Sequence, residues 1–227
     1  MTANIYPEDQ WGLERLGKFT SSEIFRLLTD PKSKEAKERG ELSSGAKTYV
    51  YETIAEILTG TVRQVSNLPM LEWGNLYEPD AVSLLAKTFP KLEYFGNENK
   101  KFFLLRRFSG GSPDAVEFES RTVFEVKCPE NPAVHVEYLL LNELSLKETC
   151  KDYWAQLQMN MMCLAKEIGC GFRDMQGVFA SYCPLMQEEE NKLKLITVMP
   201  DLELEMKINS SLDRAESFMT EIIGKLA

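Results

Sequence analysis

The chain has 227 residues, with 44% hydrophobic and 27% charged side chains, an ordinary globular balance with room for one domain and a substantial core. Its net charge of −9 excludes a protein that coats DNA by bulk charge, but not an enzyme whose cleft concentrates carboxylates around a metal. Five cysteines without a Cys-x-x-Cys pair exclude a disulfide framework and a zinc or iron–sulfur site, and with no apolar run of membrane-spanning length and no signal-peptide apolar region in residues 1–11 the expected home is a reducing cytoplasm.

Thr20-Ser21-Ser22-Glu23 has the form of a capping box and predicts a short helix through Leu28. Residues 31–40, rich in lysine and glutamate and lacking apolar periodicity, read as a mobile loop. A helix is predicted over 44–58, ending at Gly60, with Tyr51, Ile54, Ala55 and Leu58 on its apolar face. Residues 71–89 read as mostly helical, with Pro79 kinking the helix or starting a second segment. Strands are expected at 92–95, 102–105, 114–118 and Thr122–Lys127. After Pro129 and Pro132 come helical patterns near 134–141 and 147–167, then strands at Gln176–Tyr182 and 192–198. Residues 201–226 close the chain as an amphipathic helix with Leu204, Ile208, Leu212, Ala215, Phe218 and Ile222 as its core stripe. Helices before, between and after a central block of strands predict a single α/β (α+β layered) domain, a central sheet flanked by helices with the last helix packed on it.

The chemistry concentrates in the middle of the chain. Residues two apart in a strand point to the same face, so Thr122–Lys127 projects the Glu125 carboxylate and the Lys127 ammonium together. Val123, Phe124 and Val126 supply the residue types that strands favour. Glu119-Ser120-Arg121 gives a polar turn, so Asp114 of Gly-Gly-Ser-Pro-Asp can face Glu125 across a hairpin. Two acids and a lysine at one sheet edge suit a divalent-metal phosphodiesterase, with hard oxygen ligands for the ion and a cation for the phosphate or the attacking water. By themselves the same residues also fit an exposed hairpin with a cross-face ion pair. Basic stretches at Lys32, Lys34, Lys37 and Arg39, and at Lys100, Lys101, Arg106 and Arg107, fit local steering of a polyanion or plain solvated faces. His135 reads as a structural or surface residue, Trp154, Met159, Met161 and Met162 as helix core, and Cys128 as a buried small apolar residue.

Four further segments join this motif: Arg15-Leu16-Gly17-Lys18-Phe19-Thr20-Ser21-Ser22, Trp73-Gly74-Asn75-Leu76-Tyr77-Glu78-Pro79-Asp80-Ala81, Tyr153-Trp154-Ala155-Gln156-Leu157-Gln158-Met159, and the extension of the strand to Cys128-Pro129. In that order and spacing, over residues 11–184, the chain resembles the lambda exonuclease (YqaJ-type) branch of the PD-(D/E)xK nuclease superfamily. The resemblance implies a mixed sheet in a restriction-endonuclease-like core. It also implies a 5′-to-3′ exonuclease that digests one strand of linear double-stranded DNA, releases mononucleotides and leaves a 3′ tail. Asp114 and Glu125 match the family's metal-binding acids, with the Val126 carbonyl as a further ligand, and Lys127 matches the catalytic lysine. Glu78 matches the acid that serves a second metal, and Gln156 the glutamine on the helix beside the active strand. Arg15, Ser22 and Ser112 match positions that recognise the 5′-phosphate.

The resemblance further implies Mg2+, with Mn2+ able to substitute and one or two ions per site, a homotrimeric ring around the DNA, and a single-strand annealing partner. A phage or prophage protein in the bacterial cytoplasm follows from the same source. Two other readings fit the fold: a related nuclease that cuts internally or acts on single strands, and a non-catalytic DNA-binding adaptor. The segment 65–70, ahead of Trp73, is the expected wedge that splits the duplex.

Overall fold

The computed structural model describes residues 10–62, 68–96 and 99–226. Its centre is a hairpin of β5 (Ala115–Glu117) and β6 (Thr122–Lys127). β2 (Glu93–Tyr94) pairs outside β5, and on the far side β6 runs parallel to β7 (Gln176–Tyr182), which β8 (Leu193–Val198) joins antiparallel. The result is a five-stranded mixed sheet in the order β2-β5-β6-β7-β8.

A parallel pair needs a long crossover, supplied here by α5 (Pro132–Leu139), α6 (Glu143–Thr149) and α7 (Lys151–Ile168). α7 covers one face of the sheet and α4 (Leu68–Leu85) the other. The strand period sorts β6 between them: Val123 joins the core beneath α7, while Phe124 and Val126 pack with Ala81, Val82 and Leu85 of α4. Every residue from Thr122 to Val126 is buried. The exposed-hairpin reading is therefore wrong, because β6 has a strand on each side and a helix on each face.

A second, three-stranded sheet of order β1-β4-β3 leans on α7 through β3 (Phe103–Arg106) and β4 (Ser109–Gly111). β1 (Phe19–Thr20) and β4 carry no strand pattern in the sequence, since Ser-Gly-Gly has little strand preference. They pair because the fold brings Phe19 beside Ser109 and Thr20 beside Gly110.

Several local readings change in three dimensions. The capping box does not form. Residues Ser21–Arg26 make a 3-10 helix, Thr20 makes no side-chain cap, and Glu23 pairs with Arg26, whose guanidinium also reaches Glu52 at 2.7 Å. The segment 31–40 holds a short helix, α2 (Lys34–Glu38), capped by Ser33, although it buries no side chain. α3 (Ser44–Thr59) ends at left-handed Gly60 as expected. It is turned, however, to bury Ala46, Tyr49, Val50, Thr53 and Ile54, leaving Tyr51 50% and Leu58 63% exposed. The buried set follows the i, i+3, i+4, i+7 rule but includes Thr53, whose hydroxyl is satisfied by the Tyr49 carbonyl at 2.9 Å. Reading apolar residues alone passes over such a position.

Pro79 neither starts a new segment nor ends the old one, since α4 runs through it. The helix predicted over 147–167 is two helices, because a capping box of Asn142 and Ser145 starts α6 early and Cys150, with φ −113°, separates it from α7. α5 starts at Pro132 behind an Asn131 cap, where proline loses no helical hydrogen bond. The closing helix α8 (Leu202–Leu226) buries Ile208, Leu212 and Ala215 against α3 and α7, and adds Ser211 and Met219 to the stripe. Arg106 of β3 ties α8 down through Asp213 at 2.5 Å and Asn209 at 2.8 Å. Among the described residues no helix is long and apolar enough to cross a membrane.

Candidate active site

Asp114 precedes β5 and stands across the hairpin from Glu125. Its backbone N–H donates to the Phe124 carbonyl at 3.2 Å, and its Oδ2 accepts from the Val126 N–H at 2.6 Å. Glu125 points from β6 toward α7 and is 1% exposed. Its Oε1 accepts from Lys127 Nζ at 2.6 Å and Gln156 Nε2 at 2.6 Å, and its Oε2 from Asn160 Nδ2 at 3.1 Å. Lys127, two residues along and on the same face, also lies 4.8 Å above the Tyr153 ring. Glu78 reaches the cluster from the opposite layer, on α4, and its Oε1 accepts from the Tyr94 hydroxyl at 2.9 Å. Five of the residues singled out in the sequence thus meet at one sheet end.

Three carboxylates share this place with the Lys127 ammonium, and Lys100 adds a weaker pull on Glu78 and Asp114. Burial first, and the charge of Asp114 second, push Glu78 up to about 7, against the Tyr94 hydrogen bond and Lys127. Burial likewise pushes Glu125 up to about 8, with Lys127 opposing and Asp114 adding. Asp114 is raised by burial against the pull of Lys127 and the Val126 N–H. Burial works against the Lys127 ammonium, but Glu125 and Asp114 outweigh it and hold the group above its ordinary value. The cluster is short of positive charge in a poorly solvated place, and the chemical complement is a divalent cation with hard oxygen ligands. Glu78, Asp114, Glu125 and the Val126 carbonyl are the donors that would hold it. Among the described residues no three acidic, histidine or cysteine side chains are close enough as they stand to hold one ion, so the carboxylates would have to turn towards it. Asp114 is engaged by the Val126 N–H, and both Glu125 oxygens by Lys127, Gln156 and Asn160.

A pH dependence follows from these raised carboxylates. A carboxylate whose folded value lies above its unfolded one destabilises the fold as pH rises from the unfolded value to the folded one. The metal-free chain should therefore lose stability from about pH 4.5, the ordinary carboxylate value, to about pH 8, where the higher of the two raised groups has ionised, while stabilisation by millimolar Mg2+ grows towards about pH 8 as protons cease to compete. Thermal melts with and without Mg2+ measure this, and a Mg2+ increment that does not change with pH would contradict it.

Beside the acids lies a cavity of about 280 Å³ lined by Trp11, Arg15, Ser22, Lys100 and Ser112, with Glu78 and Asp114 on its inner wall. The Trp11 indole donates to Ser112 Oγ at 2.9 Å. Its ring is flanked by the Arg15 guanidinium at 4.3 Å and Lys100 Nζ at 4.5 Å. Arg15, Ser22 and Ser112, from three separate segments, open into this one space. A second cavity of about 450 Å³ holds Lys127 and Tyr153, and it shares Leu71, Asn75, Glu78 and Asp114 with the first. Glu78 and Asp114 therefore face both openings, while Glu125 lies buried behind them.

Of the basic stretches, only Lys100 reaches the site. Lys34, Lys37 and Arg39 form surface pairs with Glu38, Asp30 and Glu41, and Arg106 is spent on α8. His135 is fully buried and structural: it bridges Ser181 Oγ at 2.7 Å and the Asn191 carbonyl at 2.8 Å, where Nε2–H must donate. Trp154, Met159, Met161 and Met162 are core. Cys128 is half-buried rather than buried, and its thiol is pushed up to about 12 by burial and by Glu78 and Asp114. Sequence reading missed Trp11, Tyr94 and Asn160. Asn160 alone left a signal, as a polar residue one turn after Gln156 on the same helix face.

A mixed sheet between helices, with a hairpin acid, a strand Glu-x-Lys and a helical glutamine at one end, defines a nuclease fold of the lambda-exonuclease type. The YqaJ-like viral recombinase domain matches residues 10–167, and the chain belongs to that family. Its structure is similar to that of the alkaline exonuclease LHK-Exo from Laribacter hongkongensis, at 21% identity over 96% of this chain and 99% of that one, with a TM-score of 0.67. A phage-related exonuclease from Haemophilus somnus is similar at 19% identity, over 92% and 96% of the two chains, with a TM-score of 0.72. The Laribacter exonuclease has also been solved in complex with dAMP, at 22% identity and a TM-score of 0.67 over 96% and 99% of the chains. No curated protein matches significantly in sequence.

Proposed function

We propose that this chain is a metal-dependent exonuclease that digests one strand of linear duplex DNA from its 5′ end, releases mononucleotides and leaves a 3′ single strand. The observation that carries the reading is the wall shared by the carboxylate cluster and the cavity of Arg15, Ser22, Lys100 and Ser112. A bound Mg2+, or Mn2+ in its place, supplies Lewis acidity at the phosphate and lowers the pKa of water. Arg15 offers a guanidinium fork to a terminal phosphate, Ser22 and Ser112 add neutral donors, and Lys100 adds a second cation. That pocket sets how far the strand advances before the next phosphodiester meets the acids. Lys127 faces the reacting phosphate from β6, and Gln156 holds the Glu125 carboxylate in place. Met70 of the segment expected to split the duplex is exposed and lines the second cavity, and Leu71 beside it is half-exposed and lines both; these two apolar side chains are the ones we assign to parting the strands. Val65 to Asn67 of the segment expected to do so lie outside the described residues.

The family resemblance extends the proposal to a homotrimeric ring, to a single-strand annealing protein that receives the 3′ tail, and to a phage or prophage source acting in bacterial cytoplasm. The nucleoside monophosphate in the dAMP complex of a structural relative is in keeping with mononucleotide release.

The test is digestion of a linear duplex labelled at either end, with Mg2+, with and without a 5′-phosphate. A closed circular duplex and Asp114→Ala protein serve as controls. Loss of the 5′-ended strand, faster with the phosphate, and a spared circle are expected. Cutting of the circle would replace the proposal with an endonuclease, and no cutting with either metal would replace it with an adaptor.

A further inference from the structure

Asn160 is fully buried on α7, where that helix meets β4 and the 3-10 helix. Its Nδ2 donates to Glu125 Oε2 at 3.1 Å and is the side-chain donor to that oxygen among the described residues. Gln156 and Lys127 both bind the other oxygen, Oε1. Without Asn160, Oε2 would lose the side-chain hydrogen bond that sets the tilt of the carboxylate plane. In the ionised form that would hold a metal, the Glu125 carboxylate only accepts, so in that form the amide must present its nitrogen, as it does here. That turns its Oδ1 away, into a place where it has no hydrogen-bond partner among the described residues.

The space for Oδ1 is made by Gly111. A Cβ at that position would stand 2.2 Å from Asn160 Oδ1 and 2.9 Å from Ser21 Oγ. Ser21 lines the Arg15 cavity, and Gly111 directly precedes Ser112 of the same cavity, with Asp114 three residues beyond it. An unpaired buried acceptor is costly, and the fold retains it where the same amide orders a carboxylate of the cluster.

We infer that Asn160 is a positioning residue that sets the Glu125 carboxylate for metal, and that Gly111 is glycine because the Asn160 amide occupies its side-chain space. The inference rests on the metal-dependent reading above. Outer hydrogen-bond partners of metal ligands typically contribute 10- to 100-fold in affinity.

Calorimetric titration of Mn2+ into the full chain tests it, with wild type, Asn160→Leu, Gly111→Ala and, as a control, Glu125→Gln. Wild type is expected to bind Mn2+ in a Glu125-dependent way, and Asn160→Leu about 10- to 100-fold more weakly. Its thermal midpoint should change little, because the unpaired Oδ1 leaves with the amide while Glu125 Oε2 loses its donor, and the two effects oppose. On linear duplex the loss should fall on kcat and spare KM. Gly111→Ala, which displaces the same amide from β4, should lose affinity in the same range, and it keeps the test open if the leucine variant does not fold. Wild-type affinity in Asn160→Leu, or a lowered midpoint with affinity intact, would reduce Asn160 to a packing role and overturn the inference. Absence of Mn2+ binding by the wild type would instead remove the metal reading itself, and the inference with it.

Discussion

Lys127→Ala is expected to lower hydrolysis about 10²- to 10⁴-fold, the range for losing a positioned proton donor or acceptor, while metal and duplex binding persist. The ammonium stands 2.6 Å from Glu125 Oε1 and lines the cavity opposite the Arg15 pocket. It is thus placed to act on the reacting phosphate rather than on the terminal one. Removing it subtracts the positive charge nearest the carboxylates, so a divalent cation should bind as well as before or better. Glu125 retains Gln156 and Asn160 as donors, which argues against collapse of the site. Single-turnover digestion alongside Mn2+ titration measures both quantities. Cleavage within a few fold of wild type would end the assignment of this lysine.

Asp114→Asn should separate activity from stability. Asparagine keeps the shape and an acceptor for the Val126 N–H, now 2.6 Å from Asp114 Oδ2, but it removes a metal-binding charge. Metal affinity should fall by more than the 10- to 100-fold typical of an outer partner, and digestion with it. The metal-free fold should gain. Asp114 raises both Glu78 and Glu125, in each case behind burial. Only the Asp114 part of that repulsion is relieved, and the Lys127 ammonium loses its attraction to Asp114, so the expected gain above about pH 7 is a small one. A thermal melt without metal reads it, and a clear loss of midpoint would show that the Asp114 charge supports the fold rather than straining it.

Both expectations start from features that short-range periodicity carries. β6 and β7 have the limits their residue pattern predicts, because a short run of six or seven residues rich in β-branched and aromatic side chains and bounded by turn residues is a local strand signal. The same period of two places Lys127 beside Glu125. A polar turn of three residues is enough to bring Asp114 opposite them. Helix ends were less legible where neighbouring charges compete: Glu23 serves Arg26 instead of a capping box, and Cys150 breaks a run that reads as one helix.

The chain's own pattern therefore determined the layered α/β class, the acid–acid–lysine motif and its family, since each rests on residue order and spacing within a segment. Only the tertiary structure decided that the hairpin is interior, because its second neighbour, β7, arrives in parallel after a crossover of three helices. Only the packing of α7 across β4 and β6 put Asn160 on Glu125 and demanded glycine at 111, and only the meeting of three segments made Arg15, Ser22 and Ser112 one cavity. Those contacts depend on burial and on charges far apart in the chain, and local periodicity holds no information about either.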